Sequence, residues 1–426
     1  MRRKLDKDEL RKLPSWPEKV IGGKYVRLLE NVLQQLRTEG EHGNRKLFLD
    51  DVFITYLLAF HNPTIRSLRT IEDFSQVKQA QKHLSVRKVC KSTLSDFHRL
   101  ADPKQLEPII EALRKELNRK SISQQSNSRD LTELLKRTVA VDGTFLSAAA
   151  DVVWAICNSN KHGTKRYRAR LDCHLNVDTW IPETIVVPDP GQSESDSAAA
   201  NLQPGRLYLY DRAYSSFALI NAHYESEGDE PVAHADFLIR YKPAGGNSPE
   251  LKETTERPLT DADRAAGVVS DRVGYFNSSK SSRHCILRVP LREVIVEYEE
   301  DGQTKQLRLI TNLLDVPAAT IAQLYRYRWQ VELFFRWLKC FGNFDHLISH
   351  SKSGVQLHLY VTIISVMLMY LHTGFRPSKY MFVLLGQVAS GSATLAEILP
   401  ILRERERRCE LDRQSKARRA AKNQDK

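Results

Sequence analysis

A chain of 426 residues, 41% of them hydrophobic, is long enough to bury a large core and to divide into two or three domains. Its 64 Lys and Arg against 52 Asp and Glu leave a formal charge of +12, which favours a polyanionic partner without separating DNA from RNA or from a membrane surface. The cysteines at 90, 157, 173, 285, 340 and 409 show no CxxC spacing, so neither a zinc site nor a small disulfide framework is suggested and reduced thiols in a cytosol fit best.

Residues 1–130 read as all-helical, starting from Met1-Arg2-Arg3-Lys4, which runs into a charged helical pattern instead of the apolar core of a signal peptide. Apolar residues recur at helical spacing over Val26–Leu36, Leu47–Phe60 (stopped by Asn62-Pro63), Thr64–Phe74 and Leu84–Leu100, the last with Ser92 as its N-cap. Arg66, Arg69, Arg87, Lys88 and Lys91 at the helix starts suit phosphate contacts of a helix-turn-helix reader, and suit equally the solvated face of a bundle. The polar run Ser121–Ser128 marks a linker.

The pattern then becomes extended. Arg137–Leu146 is a β-branched run expected to close on Asp142; Tyr167–Val177 and Ile181–Val187 give two more strands; Arg206–Tyr210 gives a fourth that ends at Asp211. A helix over Ser216–Ser226 and a last sheet strand over Phe237–Tyr241 follow. This is the order of a ribonuclease-H-like α/β sheet, in which ligands gather at strand ends. About 120 residues separate Asp211 from Glu332, and Gly267–Tyr275, Cys285–Val289, Val294–Tyr298 and Gln306–Leu313 read as strands of a β-rich insertion. Arg272, Arg283, Arg288 and Arg292 on it are candidate DNA contacts or solvated strand faces.

Leu324–Lys339 reads as one helix with two faces. Tyr325, Arg328, Glu332 and Lys339 share a polar stripe, while Leu324, Tyr327, Val331, Phe334, Phe335 and Leu338 form the adjoining apolar arc. Arg328 and Glu332, four apart, also fit a plain surface ion pair. The apolar run Leu357–Leu371 is shorter than the roughly 20 residues a bilayer needs and predicts a buried helix. The mixed-charge tail 403–426 fits a frayed helix touching DNA or a solubilising tail.

The spacing Y-x2-R-x3-E-x6-K of Tyr325, Arg328, Glu332 and Lys339 resembles the YREK helix of DDE transposases of the insertion-sequence-four family. VDGT around Asp142 resembles that family's first-aspartate motif, YDRAY around Asp211 its second, with Ala213 where glycine is usual, and Asn312 in ITNLL resembles its TNL segment. The resemblance implies Asp142, Asp211 and Glu332 as catalytic and metal-binding residues. It implies two Mg²⁺ ions, for which Mn²⁺ substitutes, since two-metal phosphodiester chemistry needs hard oxygen ligands from different elements. Asp151, Asp172, Asp178 and Asp236 compete but lack the combination of strand end and motif.

The resemblance further implies that Tyr325, Arg328 and Lys339 hold DNA phosphate. Arg212 and the basic hairpin with Lys161, Lys165, Arg166, Arg168 and Arg170 are further phosphate candidates. Trp329 and Trp337 suit core packing or stacking on a flipped base. His162 and His174 are general-base candidates that two-metal chemistry does not require, and His174 also fits a satisfied strand histidine.

The expected architecture is a helical, DNA-end-binding region at 1–130, a catalytic core at 131–242 and 315–402 split by the insertion at 243–314, and a basic tail at 403–426. The expected protein is a cytoplasmic, nucleoid-associated transposase that acts on terminal inverted repeats and target DNA through a hairpin, as a homodimer at synapsis and without a membrane. The alternatives are a ribonuclease-H-like nuclease without strand transfer, or a catalytically silent, transposase-derived DNA-binding protein.

Overall fold

The computed structural model describes residues 49–60, 67–78, 88–100, 102–119, 129–148, 156–159, 165–189, 191–227, 230–243, 248–276, 288–300, 302–341, 351–373 and 395–424, with a few single positions besides. The expected helix at Val26–Leu36, the linker at Ser121–Ser128, and Arg66, Arg87, Asp151, Lys161, His162 and Arg283 lie outside them. The chain divides into two compact units, residues 1–121 with 337–426, and residues 122–336.

The first unit is helical in its described parts. The 22-residue helix Lys352–Thr373 packs with Leu49–Phe60, Lys91–Leu100, Pro103–Leu106 and Glu107–Arg119. Its apolar run is buried as expected, but among these N-terminal helices and not with the catalytic sheet. Its interior hydroxyls are satisfied within the helix, Thr362 donating to the His358 carbonyl at 2.8 Å and Ser365 to that of Val361 at 2.7 Å. No described helix is long and apolar enough to cross a membrane.

Two helix starts differ from the expectation. Leu68–Ser75 begins where Ser67 and Thr70 form a capping box. Lys91–Leu100 begins before Ser92, because Glu72 reaches across to accept the Lys91 N–H at 2.9 Å. The same Glu72 pairs with Lys88 at 2.6 Å, while Arg69 is exposed. Leu395–Gln424 is helical with Pro400 inside it, so the tail backbone is ordered as a helix.

The second unit is built on one ten-stranded sheet. Helix α1 (Arg129–Arg137) leads into β1 (Thr138–Ala148), followed by β2 (Ile156–Ser159), β3 (Lys165–Asn176) and β4 (Ile181–Val186). Then come α2 (Glu194–Ala199), β5 (Leu207–Tyr210), α3 (Phe217–Ala222), a hairpin of β6 (Tyr224–Glu227) and β7 (Glu230–Ala233), and β8 (Asp236–Tyr241). The order β4-β3-β1-β5-β8, with β3 antiparallel to both neighbours and β1, β5 and β8 parallel, is the ribonuclease-H-like arrangement. Val139 and Val141 of β1, Tyr208 and Tyr210 of β5 and Phe237 and Ile239 of β8 are buried together with Leu219 and Ile220 of α3. Because strand side chains alternate, Asp142 faces away from this core.

Three expectations are corrected here. Strand β1 continues six residues past Asp142, because β3 pairs with it as far as Ala148. Strand β8 is not the last of the sheet, and the β insertion is not a separate layer. Strands β9 (Leu251–Glu256), β10 (Val268–Phe276), β11 (Leu291–Glu300) and β12 (Gln303–Thr311) prolong the same sheet in the order β8-β12-β11-β10-β9, with helix α4 (Asp261–Ala265) between β9 and β10. Nor is Leu324–Lys339 one helix. Helix α5 (Ala318–Arg326) and helix α6 (Trp329–Phe341) are joined by a tight turn in which the Tyr327, Arg328, Gln330 and Val331 N–H groups each donate three residues back. The helix expected over Ser216–Ser226 is only α3, since β6 begins at Tyr224.

The insertion is welded by buried ion pairs. Arg292, 1% exposed, donates to Asp271 through Nε at 2.7 Å and Nη2 at 2.6 Å, and to the carbonyls of Leu313, Leu314 and Val316. Glu293, fully buried, takes Arg272 and Arg308. Arg292 and Arg272 therefore serve the fold and are not free DNA contacts, whereas Arg288 is exposed beside Glu253 at 2.7 Å. Arg292→Ala strands the buried Asp271 charge and is expected to lower stability by about 3–5 kcal/mol. Arg288→Ala is expected to cost under about 1 kcal/mol. Equal midpoints of the two variants in urea unfolding would contradict this division.

Candidate active site

The site begins with strand register. Strands β1 and β5 run parallel with Thr138 opposite Leu207, Val139 opposite Tyr208 and Ala140 opposite Leu209. Asp142 and Asp211 lie equally far beyond these pairs, so the two aspartates leave adjacent parallel strands at one level, where strand neighbours stand roughly 4.8 Å apart. Asp211 follows the last residue of β5, and a 3-10 turn, Arg212–Tyr214, carries the chain away. One Asp142 oxygen accepts the Gly143 N–H at 2.8 Å. Asp211 Oδ1 is buried and has no hydrogen-bond partner, its ion-pair partner being Arg240 at 4.0 Å.

Arg328 brings the third carboxylate in. It sits in the turn between α5 and α6, 8% exposed, with Nη1 at 3.7 Å from Asp142 and Nη2 donating to Glu332 in the first turn of α6. One guanidinium thus bridges β1 and α6. Burial opposes the Arg328 charge, but the hydrogen bond to Glu332 and the charges of Tyr325, Asp211 and Glu332 outweigh it and hold the group above its ordinary value. Tyr325, at the end of α5 and 8% exposed, donates its hydroxyl to the Tyr210 carbonyl at 3.3 Å, tying α5 to the residue before Asp211.

Burial pushes the Asp142 carboxyl up to about 6, against the Gly143 N–H and Arg328 and with help from the charges of Glu332 and Glu194. Among the described residues, no three Asp, Glu, His or Cys side chains are grouped tightly enough to hold a metal ion in this conformation. The donor chemistry nevertheless suits one, because carboxylate oxygens are the ligands of Mg²⁺ and Mn²⁺ and Asp211 Oδ1 has no hydrogen bond to give up.

Other candidates fall differently. Trp329 is 50% exposed with the Arg328 guanidinium 5.9 Å from its ring centroid, which overturns core packing for it, while Trp337 is buried. Lys339 is half-buried two turns beyond Glu332 and belongs to the first unit. Arg212 is exposed. Lys165, Arg166 and Arg168 lie on β3 where it pairs with β2, and their side chains are outside the described ones. Arg170 is buried and spent on Asp172 at 2.9 Å and 3.1 Å, so it is no free phosphate contact. His174 is a buried core histidine whose pKa burial lowers to about 4, and Asp236 pairs with Arg137 at 2.5 Å. Asn312 clamps β8, accepting the Phe237 N–H at 2.9 Å and donating to the Ala235 carbonyl at 3.2 Å.

Sequence reasoning missed Arg240 and Glu194. Arg240 alternates on β8 toward Asp211, a position legible only once β8 is known to adjoin β5. Glu194 lies in a polar stretch with no motif around it.

Residues 133–368 match the family described as "Transposase DDE domain", and the chain belongs to that family. It is 36% identical over 230 residues to a probable transposase of the insertion sequence element IS5377 from Geobacillus stearothermophilus, covering 54% of this chain and 55% of that protein. Over 230 residues it is 26% identical to a transposase candidate, y4zB, from Sinorhizobium fredii, covering 54% and 59%. The chain thus spans little more than half the length of the curated relatives it matches. A cryo-EM structure of a piggyBac transposase synaptic complex with hairpin DNA shows a TM-score of 0.42 at 12% identity, over 92% of this chain and 81% of that one, a likeness too slight to define anything further.

The raised Asp142 pKa has a signed consequence. The folded protein keeps this proton up to about pH 6 where an unfolded aspartate releases it near 3.8, so ionising Asp142 costs stability as pH rises between those values. In metal-free protein Asp142→Asn is therefore expected to match the wild type near pH 4 and to exceed it by about 1–3 kcal/mol at pH 7. Denaturant unfolding across that range checks it, and a variant no more stable at pH 7 than the wild type would contradict it.

Proposed function

We propose that this protein is a metal-dependent DNA transposase that cleaves the ends of an insertion sequence and joins the freed 3′ ends to target DNA. The observation that carries the reading is the shared level of Asp142 and Asp211 on adjacent parallel strands, with Glu332 drawn to them through Arg328. Asp142, Asp211 and Glu332 are the residues that would hold Mg²⁺ or Mn²⁺. Two such ions supply an activated water or 3′-hydroxyl on one side of the phosphate and stabilise the leaving oxygen on the other.

The chain's own residues do the rest. Arg328 neutralises the carboxylates in the free protein and turns to DNA phosphate when cations enter, so the site is not left as uncompensated buried charge. Tyr325 and Lys339 add phosphate contacts near the cleaved end, and Arg212, Lys165, Arg166 and Arg168 extend the basic surface beside it. Trp329, exposed at the site's edge, stacks on a base turned out of the duplex at a hairpinned end; such stacking is worth about 1–3 kcal/mol. Two copies pair at synapsis, each holding one terminal repeat, and the active protein is nucleoid-associated in the cytoplasm. The bridging guanidinium also favours a second reading, a catalytically silent DNA-binding protein in which Arg328 permanently replaces the cation.

Cleavage of end-labelled DNA carrying the element's own terminus, in Mg²⁺ or Mn²⁺, separates these. Nicked, hairpinned and joined products are expected from the wild type and none from Glu332→Ala, with at least a 10²-fold loss of rate. Trp329→Ala is expected to keep nicking and lose hairpin formation. Cutting without joining would replace the proposal with a nuclease, and tight binding by folded protein without cutting would leave the silent reading.

A further inference from the structure

Beside Asp142 lies a carboxylate that no pairing in the site accounts for. Gly143, the residue after Asp142, has no side chain, and a Cβ there would meet Glu194 Oε1 at 2.9 Å and Asp172 Oδ1 at 3.1 Å. Asp172 is compensated by Arg170 and by a hydrogen bond from Ser197. Asp142 has Arg328. Glu194, half-buried at the start of α2, has no hydrogen-bond donor among the described residues, and burial followed by the charge of Asp172 raises its pKa.

A second observation points into the same place. Tyr214 is 1% exposed and its hydroxyl meets no partner, yet it is close enough to feel the charges of Glu194, Asp142 and Asp172. A buried hydroxyl left without an acceptor costs stability, and so does an uncompensated carboxylate. Both costs vanish if hydration water of a cation fills the gap, since water accepts from the phenol and donates to the carboxylate. The glycine keeps that space open.

We propose that Glu194 is a fourth carboxylate of the site, a positioning residue that accepts hydrogen bonds from the water shell of a divalent cation held by Asp142, with Tyr214 donating to the same shell. This rests on the reading of Asp142 as a metal ligand. Carboxylates that orient such a shell typically change metal affinity 10–100-fold when removed. The role is distinct from that of the three carboxylates around Arg328, because Glu194 contacts neither Arg328 nor α6 among the described residues.

The test is Mn²⁺ titration of the full chain without DNA, by calorimetry, with melting temperature as a second readout. Glu194→Gln is expected to bind Mn²⁺ about tenfold more weakly. In metal-free buffer it melts no lower than wild type, because a repelled charge has been removed. Gly143→Ala, whose new methyl displaces only the flexible end of Glu194, is expected to weaken binding similarly and to add nothing in the double variant. Tyr214→Phe is expected to lose less. Wild-type affinity in Glu194→Gln while Asp142→Asn loses binding would overturn the proposal and leave the metal reading standing. Equal binding by wild type and Asp142→Asn would overturn both.

Discussion

Everything at this site depends on the cost of crowding like charges in a place only partly open to water. Parallel strands β1 and β5 deliver two aspartates to one level, and α6 adds a glutamate. In the metal-free protein Arg328 offsets that cost: it holds Asp142 and Glu332 together while leaving Asp211 Oδ1 without a partner. A site balanced by one movable side chain is strained enough to accept a cation and polar enough to stay folded without one. The break between α5 and α6 serves the same end. An unbroken helix would carry Arg328 at fixed spacing from Glu332 alone, whereas the turn lets its other nitrogen approach Asp142.

Rigidity comes from the far side of the sheet. The strands inserted between β8 and α5 continue the catalytic sheet edge to edge, so the chain returning at Thr311–Val316 is fixed before it enters α5. Arg292 caps three carbonyls of that return, and Asp263 accepts the Ala319 N–H at 2.7 Å at the start of α5. Tyr325 then ties the end of α5 to β5. The insertion is thereby coupled to the placement of Arg328 through backbone and ion pairs, without touching the carboxylates itself.

Much of this was legible in the residues. Alternation located β1, β3, β4 and β5 and so the strand order, and the apolar arc Leu324, Val331, Phe334, Phe335 and Leu338 is buried as its spacing implies. What was not legible arises from tertiary pairing. Strand β1 outruns Asp142 because β3 is long enough to pair it, the inserted strands join the main sheet because β12 finds the edge of β8, and the helix breaks because a 3-10 turn satisfies Tyr327 and Arg328 locally. Arg272 and Arg292 look like surface cations on a strand, and only their partners Glu293 and Asp271 reveal them as buried. Glu194 carries no local signature, since its meaning comes from the missing side chain of Gly143 on another element.

The central claim is that Arg328 and a divalent cation exchange places on one set of carboxylates. Anomalous diffraction from Mn²⁺-soaked crystals of the full chain with a DNA end tests it most directly. The account predicts manganese within about 2.0–2.6 Å of oxygens of Asp142 and Asp211, with the Arg328 guanidinium turned from them to phosphate. Arg328 still bridging Asp142 and Glu332, with no manganese at either aspartate, would contradict it.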